Sequence, residues 1–288
     1  MKAKPDVCIQ YNSYFFENLV LLIYRAIRAK VALAIIIQDL HIDLSVGVFS
    51  KRGLRSISQR LAFWLARTFD LIVPISASIV DDFRLDSSKC IIFQGGITKF
   101  ANDLMLGERP VSQAIGVFAG ALESYNGVDL LVQQWLGQKI GYPLHIFGRG
   151  RLAEFVSSAA TESSHIVYHG FLDEQSVLGW QQVARWNFCF RYSIGLNQDY
   201  FFPSKLFNVA CAPGALVVNN FNSLPEGIKN HSCVVADDMS NLSLQMRESL
   251  TSVGVLEARE RRNYVLSNHS WAACIDQMFR FLSSRVNA

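Results

Sequence analysis

Short aliphatic and β-branched runs alternate with stretches of helical period along the whole chain, the pattern of βαβ units and parallel sheets. Asp6 to Gln10 reads as a buried strand and Tyr14 to Ala29 as a helix. Val31 to Gln38 is a strong strand, 53–68 a helix and Asp70 to Pro74 a short strand, with Ser76 placed to cap a helix that runs through Phe83. Cys90 to Phe93 closes a set of four strands, with Gly95-Gly96 as the turn. Residues 99–113, with Gly107, Pro110 and no clear period, read as a linker. The grammar then repeats more fully. Strands are predicted at 115–118, 144–147, 166–168, 186–191, 215–218 and 233–235, and helices at 127–138, 150–159, 173–184, 204–212, 239–252 and 270–284. Six strands with intervening helices make a complete Rossmann-like domain, and four short ones make about half of one. The expected fold class is therefore α/β, with two Rossmann-like domains: a shortened one over 1–98, the linker, and a full one with a C-terminal helix over 114–288.

Composition supports this division. At 288 residues, with 50% hydrophobic and 18% charged, the chain can bury two modest cores and leaves little room for extended disorder. The six cysteines are scattered, mostly in apolar runs and without CxxC spacing, which argues for buried thiols in a reducing cytoplasm rather than disulfides or zinc. The start of the chain is too short and too interrupted for a signal peptide. The longest apolar stretches, 15–27 and 31–37, are broken or flanked by Glu17, Arg25, Arg28 and Lys30, short of the ~18–20 residues of a membrane span.

Charge is uneven. Residues 1–100 carry 13 Lys/Arg and 8 Asp/Glu, a balance of +5 against +3 for the whole chain. Lys51, Arg52, Arg55, Arg60 and Arg67 alternate with Leu54, Ile57, Leu61, Trp64, Leu65 and Phe69 at helical spacing. Two readings stay open: a core-packed helix with a solvated basic face, or a peripheral membrane contact through 51–69 with Trp64 near the headgroups.

Ligands of parallel α/β sheets bind beyond the carboxyl ends of the strands, so candidate chemistry is sought in those loops. Gly120 and the Asn126-Gly127 pair follow the first strand of the second domain, where a glycine turn opens a helix and offers backbone N–H groups to an anion. Gly148-Arg149-Gly150-Arg151 follows the next strand and adds two guanidinium groups suited to phosphate or ribose oxygens. His169-Gly170-Phe171 could wall a nucleobase slot or belong to a core. Pro203-Ser204-Lys205 reads as a stop, an N-cap and a helix start. A lysine in the first helical turn opposes the helix dipole unless an anion sits before it; otherwise Lys205 is a surface lysine. In the first domain, Asp39 and His41 end a strand and could hold an acceptor hydroxyl.

Taken in order, these segments resemble the C-terminal domain of the family 4, retaining, two-domain (GT-B) glycosyltransferases. Val117-Phe-Ala-Gly120-Ala-Leu with Asn126-Gly127-Val-Asp-Leu-Leu is similar to the family's "GRL…KG-v-d-L-L", and Leu144-His-Ile-Phe-Gly148-Arg-Gly150 to "l-i-G-x-G". Val167-Tyr-His-Gly170-Phe-Leu resembles "v-x-f-x-G-x-l". Pro203-Ser-Lys205-Leu-Phe-Asn208 through Gly214-Ala-Leu-Val-Val218 resembles "P-x-K-x-x-E…G-x-P-V-V", and Asn268-His-Ser270-Trp271 the start of the terminal helix. Lys4-Pro-Asp6-Val and Asp70-Leu-Ile-Val-Pro-Ile-Ser76 resemble strands midway through the family's first domain, so the N-terminal domain is expected to be truncated.

The resemblance implies a cytoplasmic enzyme, at the inner face of the plasma membrane if the basic helix touches lipid. It would transfer a hexosyl group with retention from a nucleoside diphosphate sugar to a glycan or lipid-linked acceptor in surface polysaccharide biosynthesis. It also implies a donor site at Gly120, Asn126, Gly127, Gly148, Arg149, Arg151, His169, Tyr200, Pro203, Ser204, Lys205 and Asn208, with Asp39, His41 and Asp199 as catalytic candidates. No metal or other cofactor and no nucleic-acid partner is expected. The family's pattern is broken where it matters. Ala121 and Asn126 replace the diphosphate-binding Arg and Lys, and Tyr200 and Asn208 replace two Glu that hold donor hydroxyls. An alternative stays open: a weak or inactive relative that binds a nucleotide sugar or a partner subunit, its exposed sheet edge covered by that partner or by a homodimer. A nucleotide-sugar epimerase would need cleft carboxylates, which are few.

Overall fold

A computed structural model describes residues 5–38, 51–104, 111, 113–192, 200–251 and 254–286. The chain forms two compact units, Met1–Gly95 with Asp199–Phe202 and Ala272–Ala288, and Gly96–Gln198 with Pro203–Trp271.

In the first unit, strands β1 (Val7–Tyr11), β2 (Ala32–Ile37) and β3 (Leu71–Pro74) make a parallel sheet in the order β1-β2-β3. Helices α1 (Phe15–Ile27) and α2 (Lys51–Ala66) cross between them, and α3 (Ala77–Asp82) follows. Every residue of β2 is buried, as an unbroken aliphatic run requires when both faces of a parallel sheet are covered. Asn18 on α1 is buried and donates from Nδ2 to Ala62 O at 2.7 Å and Ser13 Oγ at 3.1 Å, tying α1 to α2. Ser76 stands at the N-cap of α3 in extended conformation but makes no side-chain capping bond. The expected fourth strand is reduced to one bridge, Cys90 to Ile72; Phe93 N–H still donates to Pro74 O at 3.0 Å, but Pro74 has no N–H to return the next bond, and the ladder stops there.

The second unit begins with α4 (Lys99–Leu104), a helix where the sequence suggested linker. Then follow β4 (Gln113–Ala119), α5 (Val128–Gly137), β5 (Leu144–Phe147), α6 (Ala153–Glu162), β6 (Ile166–Tyr168), α7 (Glu174–Val183) and β7 (Ala184–Phe188). The chain continues through α8 (Lys205–Ala210), β8 (Ala215–Asn219), α9 (Glu226–Lys229), β9 (Cys233–Val235), α10 (Leu242–Thr251) and α11 (Gly254–Asn268). The strands are all parallel, in the order β6-β5-β4-β7-β8-β9, the doubly wound arrangement whose direction of winding reverses at β4 and β7. Trp135, Trp186, Phe118, Phe188 and Leu144 fill the core on one face of this sheet. The terminal helix α12 (Trp271–Val286) falls almost wholly within the first unit, so the second one ends near α11 rather than at the chain's end. Among the described residues no helix is long and apolar enough to cross a membrane.

Candidate functional site

At the carboxyl ends of β4, β5 and β6 the chain turns sharply, and these turns interlock. Gly120 N–H donates to Phe147 O at 3.0 Å, Leu122 N–H to Arg149 O at 2.9 Å, and Gly148 N–H to Gly170 O at 2.7 Å. The two glycine turns approach so closely that a Cβ on Gly148 would lie 1.8 Å from Gly120 O, and its φ of +144° disfavours any L side chain. A Cβ on Gly120 would lie 2.4 Å from Lys205 Nζ, so this glycine leaves the lane through which the lysine reaches the turn.

These turns, with α7 and α8, enclose a cavity of about 500 Å³. Phe147, Phe171, Leu172, Val177 and Leu178 supply its apolar wall; Arg149, Glu174, Gln181, Lys205 and Asn208 supply its polar groups. Lys205 opens α8. Its Nζ donates to Ala119 O at 2.9 Å and lies 4.5 Å from the centre of the Phe118 ring. Burial holds the Lys205 ammonium below the usual lysine range, a cost that an anion in the cavity would offset. The Arg149 guanidinium stands 4.8 Å over the Phe171 ring. Glu174 Oε1 accepts from Asn208 Nδ2 at 3.2 Å, which brings a carboxylate and a carboxamide to one wall. Asp173 caps α7 by accepting the Ser176 N–H at 2.9 Å and so fixes where Glu174 emerges. Two cations, a carboxylate–amide pair and an apolar surface suit a ligand that combines anionic, hydroxyl-bearing and flat apolar parts.

Of the residues singled out in the sequence, Gly120, Gly148, Arg149, Lys205 and Asn208 are brought together on this cavity. The others are placed elsewhere. Arg151 is exposed and paired with Glu123, Nε to Oε2 at 2.7 Å, and its own N–H donates to the same carboxylate. Asn126 is buried and donates to Ala121 O at 2.9 Å, bracing the turn before α5, where Gly127 adopts φ +68°. His169 stacks behind Phe147 at 4.4 Å, its Nε2 2.8 Å from His145 Nδ1; burial lowers the pKa of both imidazoles. Ser204 makes no side-chain capping bond, and neither it nor Pro203 lines the cavity. Tyr200 is buried in the first unit, its hydroxyl bonded to Asp82. Asp39, His41 and Asp199 lie outside the described residues. Sequence reasoning missed Glu174 and Gln181. Glu174 was findable, because it opens the helix after a strand-end loop already under suspicion; Gln181, two turns further on, carries no such signal.

No family description matches the chain, and no curated protein matches it by sequence. Solved structures do match over nearly its whole length. Anabaena Alr3699/HepE in complex with UDP superposes with a TM-score of 0.69 at 14% identity, covering 96% of this chain and 78% of that one. Sucrose-phosphate synthase from Thermosynechococcus elongatus gives 0.68 at 13%, covering 96% and 74%. Trehalose 6-phosphate synthase from Burkholderia multivorans gives 0.66 at 12%, covering 99% and 72%. The fold shared with these proteins is that of the GT-B glycosyltransferases.

Proposed function

We propose that the chain is a glycosyltransferase whose nucleoside diphosphate sugar donor is held in the cavity beyond β4, β5 and β6. The observation that carries this reading is Lys205, a lysine with donors to spare on the same cavity as Arg149 and the Glu174–Asn208 pair. In this reading Lys205 and Arg149 meet the diphosphate, Glu174 and Asn208 accept and donate to hydroxyls of the ribose or sugar, and the apolar wall with Phe171 receives the base. Charge developing on the departing diphosphate is stabilised by fixed cations, so the reaction requires no bound metal. The complexes of similar proteins with UDP support a nucleotide as the ligand. We extend the reading to retention at the transferred carbon, to a glycan or lipid-linked acceptor of surface polysaccharide assembly, and to a cytoplasmic location, with Leu61 and Trp64 exposed on α2 beside Arg60 as the contact with anionic lipid. The acceptor-side and catalytic roles fall to Asp39, His41 and Asp199, on the sequence argument alone.

A second reading, binding without turnover, is favoured by one observation. Tyr200 stands where the family resemblance calls for a donor-holding carboxylate, and its hydroxyl is engaged by Asp82. Calorimetric titration with UDP-, GDP-, ADP- and dTDP-sugars, with donor hydrolysis followed in the same samples, separates the two. Selective binding with hydrolysis supports the transferase; selective binding without it, even with glycan and polyprenyl acceptors added, supports the binding protein. A folded chain that binds none of the four overturns both.

A further inference from the structure

Helix α7 carries Glu174, Val177, Leu178 and Gln181 at helical spacing, so the four share one face, and all four line the cavity. That face changes character along its length. Glu174, at the start of the helix, is exposed and bonded to Asn208; Val177 is half-buried; Leu178 and Gln181 are buried, Gln181 with 4% of its surface exposed. The two polar ends lie two turns apart, about 10 Å along the axis, with aliphatic surface between them. Gln181 is held in place but left unsatisfied. Its main-chain carbonyl accepts from Asn187 Nδ2 at 3.1 Å, whereas its side chain makes no hydrogen bond to any described residue. Asn18, Gln38, Asn126, Asn187 and Asn219, buried like it, each donate to a main-chain carbonyl. An amide withdrawn from bulk water without a partner carries a free-energy cost that a leucine beside Val177 and Leu178 would not.

A free carboxamide on a cavity wall matches a ligand group that sets a donor and an acceptor side by side. Two parts of a nucleoside diphosphate sugar can present such an edge: the base, and an acylamino group on the sugar. Enclosure separates them. The transferred sugar has to meet its acceptor and therefore lies toward the open side, where Arg149, Phe171 and Glu174 are exposed. The base is never transferred and can be enclosed, and the aliphatic stretch between Glu174 and Gln181 suits its flat face. With ribose hydroxyls on Glu174 and Asn208, a nucleoside spans the two turns to Gln181. We propose that Gln181 reads the nucleobase of the donor, its carboxamide pairing with the adjacent donor and acceptor of the base's Watson–Crick edge. This role rests on the donor reading above and adds to it the residue that chooses among nucleotides.

Calorimetric titration of the full chain and of Gln181→Leu with UDP, GDP, ADP, dTDP and inorganic pyrophosphate tests it. The parent is expected to discriminate among the bases. Gln181→Leu is expected to bind the preferred diphosphate about ten- to a hundredfold more weakly, which brings the four diphosphates close to one another. Pyrophosphate, which has no base, is expected to bind both chains alike. A parent that binds all four diphosphates equally, or a Gln181→Leu chain that keeps the parent's preference, overturns the proposal and leaves the donor site standing. So does a Gln181→Leu chain that loses pyrophosphate to the same extent, because the residue then shapes the cavity rather than reads the base. A folded parent that binds none of the diphosphates overturns the donor reading itself, and this role with it. Should Gln181→Leu fail to fold, the unmodified chain decides: methylation of the preferred base at the ring nitrogen of its Watson–Crick edge must cost a comparable factor, and a methylated diphosphate that binds as tightly as the plain one overturns the assignment.

Discussion

Lys205 and Arg261 are both cations drawn away from water in the second unit, Lys205 in part and Arg261 wholly, and they are treated in opposite ways. Arg261, 1% exposed on α11, donates from all three nitrogens to Ala210 O, Ala212 O, Gly214 O and His231 O at 2.8–2.9 Å. It fastens the end of α8 and the loop before β8 to α11, and burial brings its pKa down to about 10. Lys205 donates to one carbonyl and leans on one ring, although an ammonium has three donors. A cation whose donors are spent on carbonyls is a brace. One that keeps donors beside a cavity of about 500 Å³ is, in the function proposed above, set for a ligand, and holds its charge at a cost until the ligand arrives.

The largest expected effect tests the brace. Arg261→Ala orphans four buried carbonyls and should lower unfolding stability by at least about 3 kcal/mol in urea titration, or prevent folding. A loss below about 1 kcal/mol would show that water replaces the guanidinium there, and the contrast with Lys205 would fail.

Lys205 should respond in the other direction. Lys205→Met is expected to unfold no more easily than the parent at neutral pH, because it removes a partly desolvated charge, yet to weaken nucleoside diphosphate binding by roughly 1.5–3 kcal/mol. The sign with pH follows from burial, which puts the folded pKa of Lys205 below 10.5. The unfolded chain then binds that proton more tightly, so the cost is present in full below the folded value and is relieved as pH rises from it toward 10.5. Binding runs the opposite course: the free protein loses the ammonium as pH climbs through the lowered value, and affinity declines by up to about tenfold per unit. Calorimetry at stepped alkaline pH should show that decline in the parent, and Lys205→Arg should flatten it.

The same contrast explains what could be read in the sequence. The six strands of the second sheet are aliphatic runs buried on both faces, and each was legible within a few residues. Helix α11 was not, because its inward stripe is Ala258, Arg261 and Val265: a brace in the middle of an apolar face erases the period that reveals a helix. Lys205 was legible for the converse reason, since a cation in a first helical turn contradicts the dipole and draws notice. Helix α12 was legible as a helix at 270–284, but its place, like that of Tyr200, depends on the chain returning to the first unit, a long-range fact that local spacing does not encode.

A smaller effect is expected at the mouth of the cavity. Phe171 is 65% exposed, and the Arg149 guanidinium rests on its face. Phe171→Ala should weaken binding by about 0.5–1 kcal/mol if the ring only orients Arg149. A much larger loss, with selectivity among bases altered, would instead mean that the ring stacks on the base itself.

The smallest effect is expected at Arg151, and it separates two arginines, one glycine apart, that look equivalent in the sequence. Arg149 lines the cavity, whereas Arg151 points to solvent with its Nε on Glu123, whose own side chain is mostly covered. Hydrogen bonding to Arg151 draws the Glu123 carboxyl below its usual range, so Glu123 already supplies the charge partner that a phosphate would otherwise be. Arg151→Ala should therefore change donor affinity by no more than a factor of about two, the scale of an exposed ion pair, and leave the salt dependence of binding unaltered. A loss as large as that of Lys205→Met would mean that Arg151 exchanges Glu123 for the diphosphate on binding. Glu123→Gln should then tighten binding, because the competitor for the guanidinium is gone.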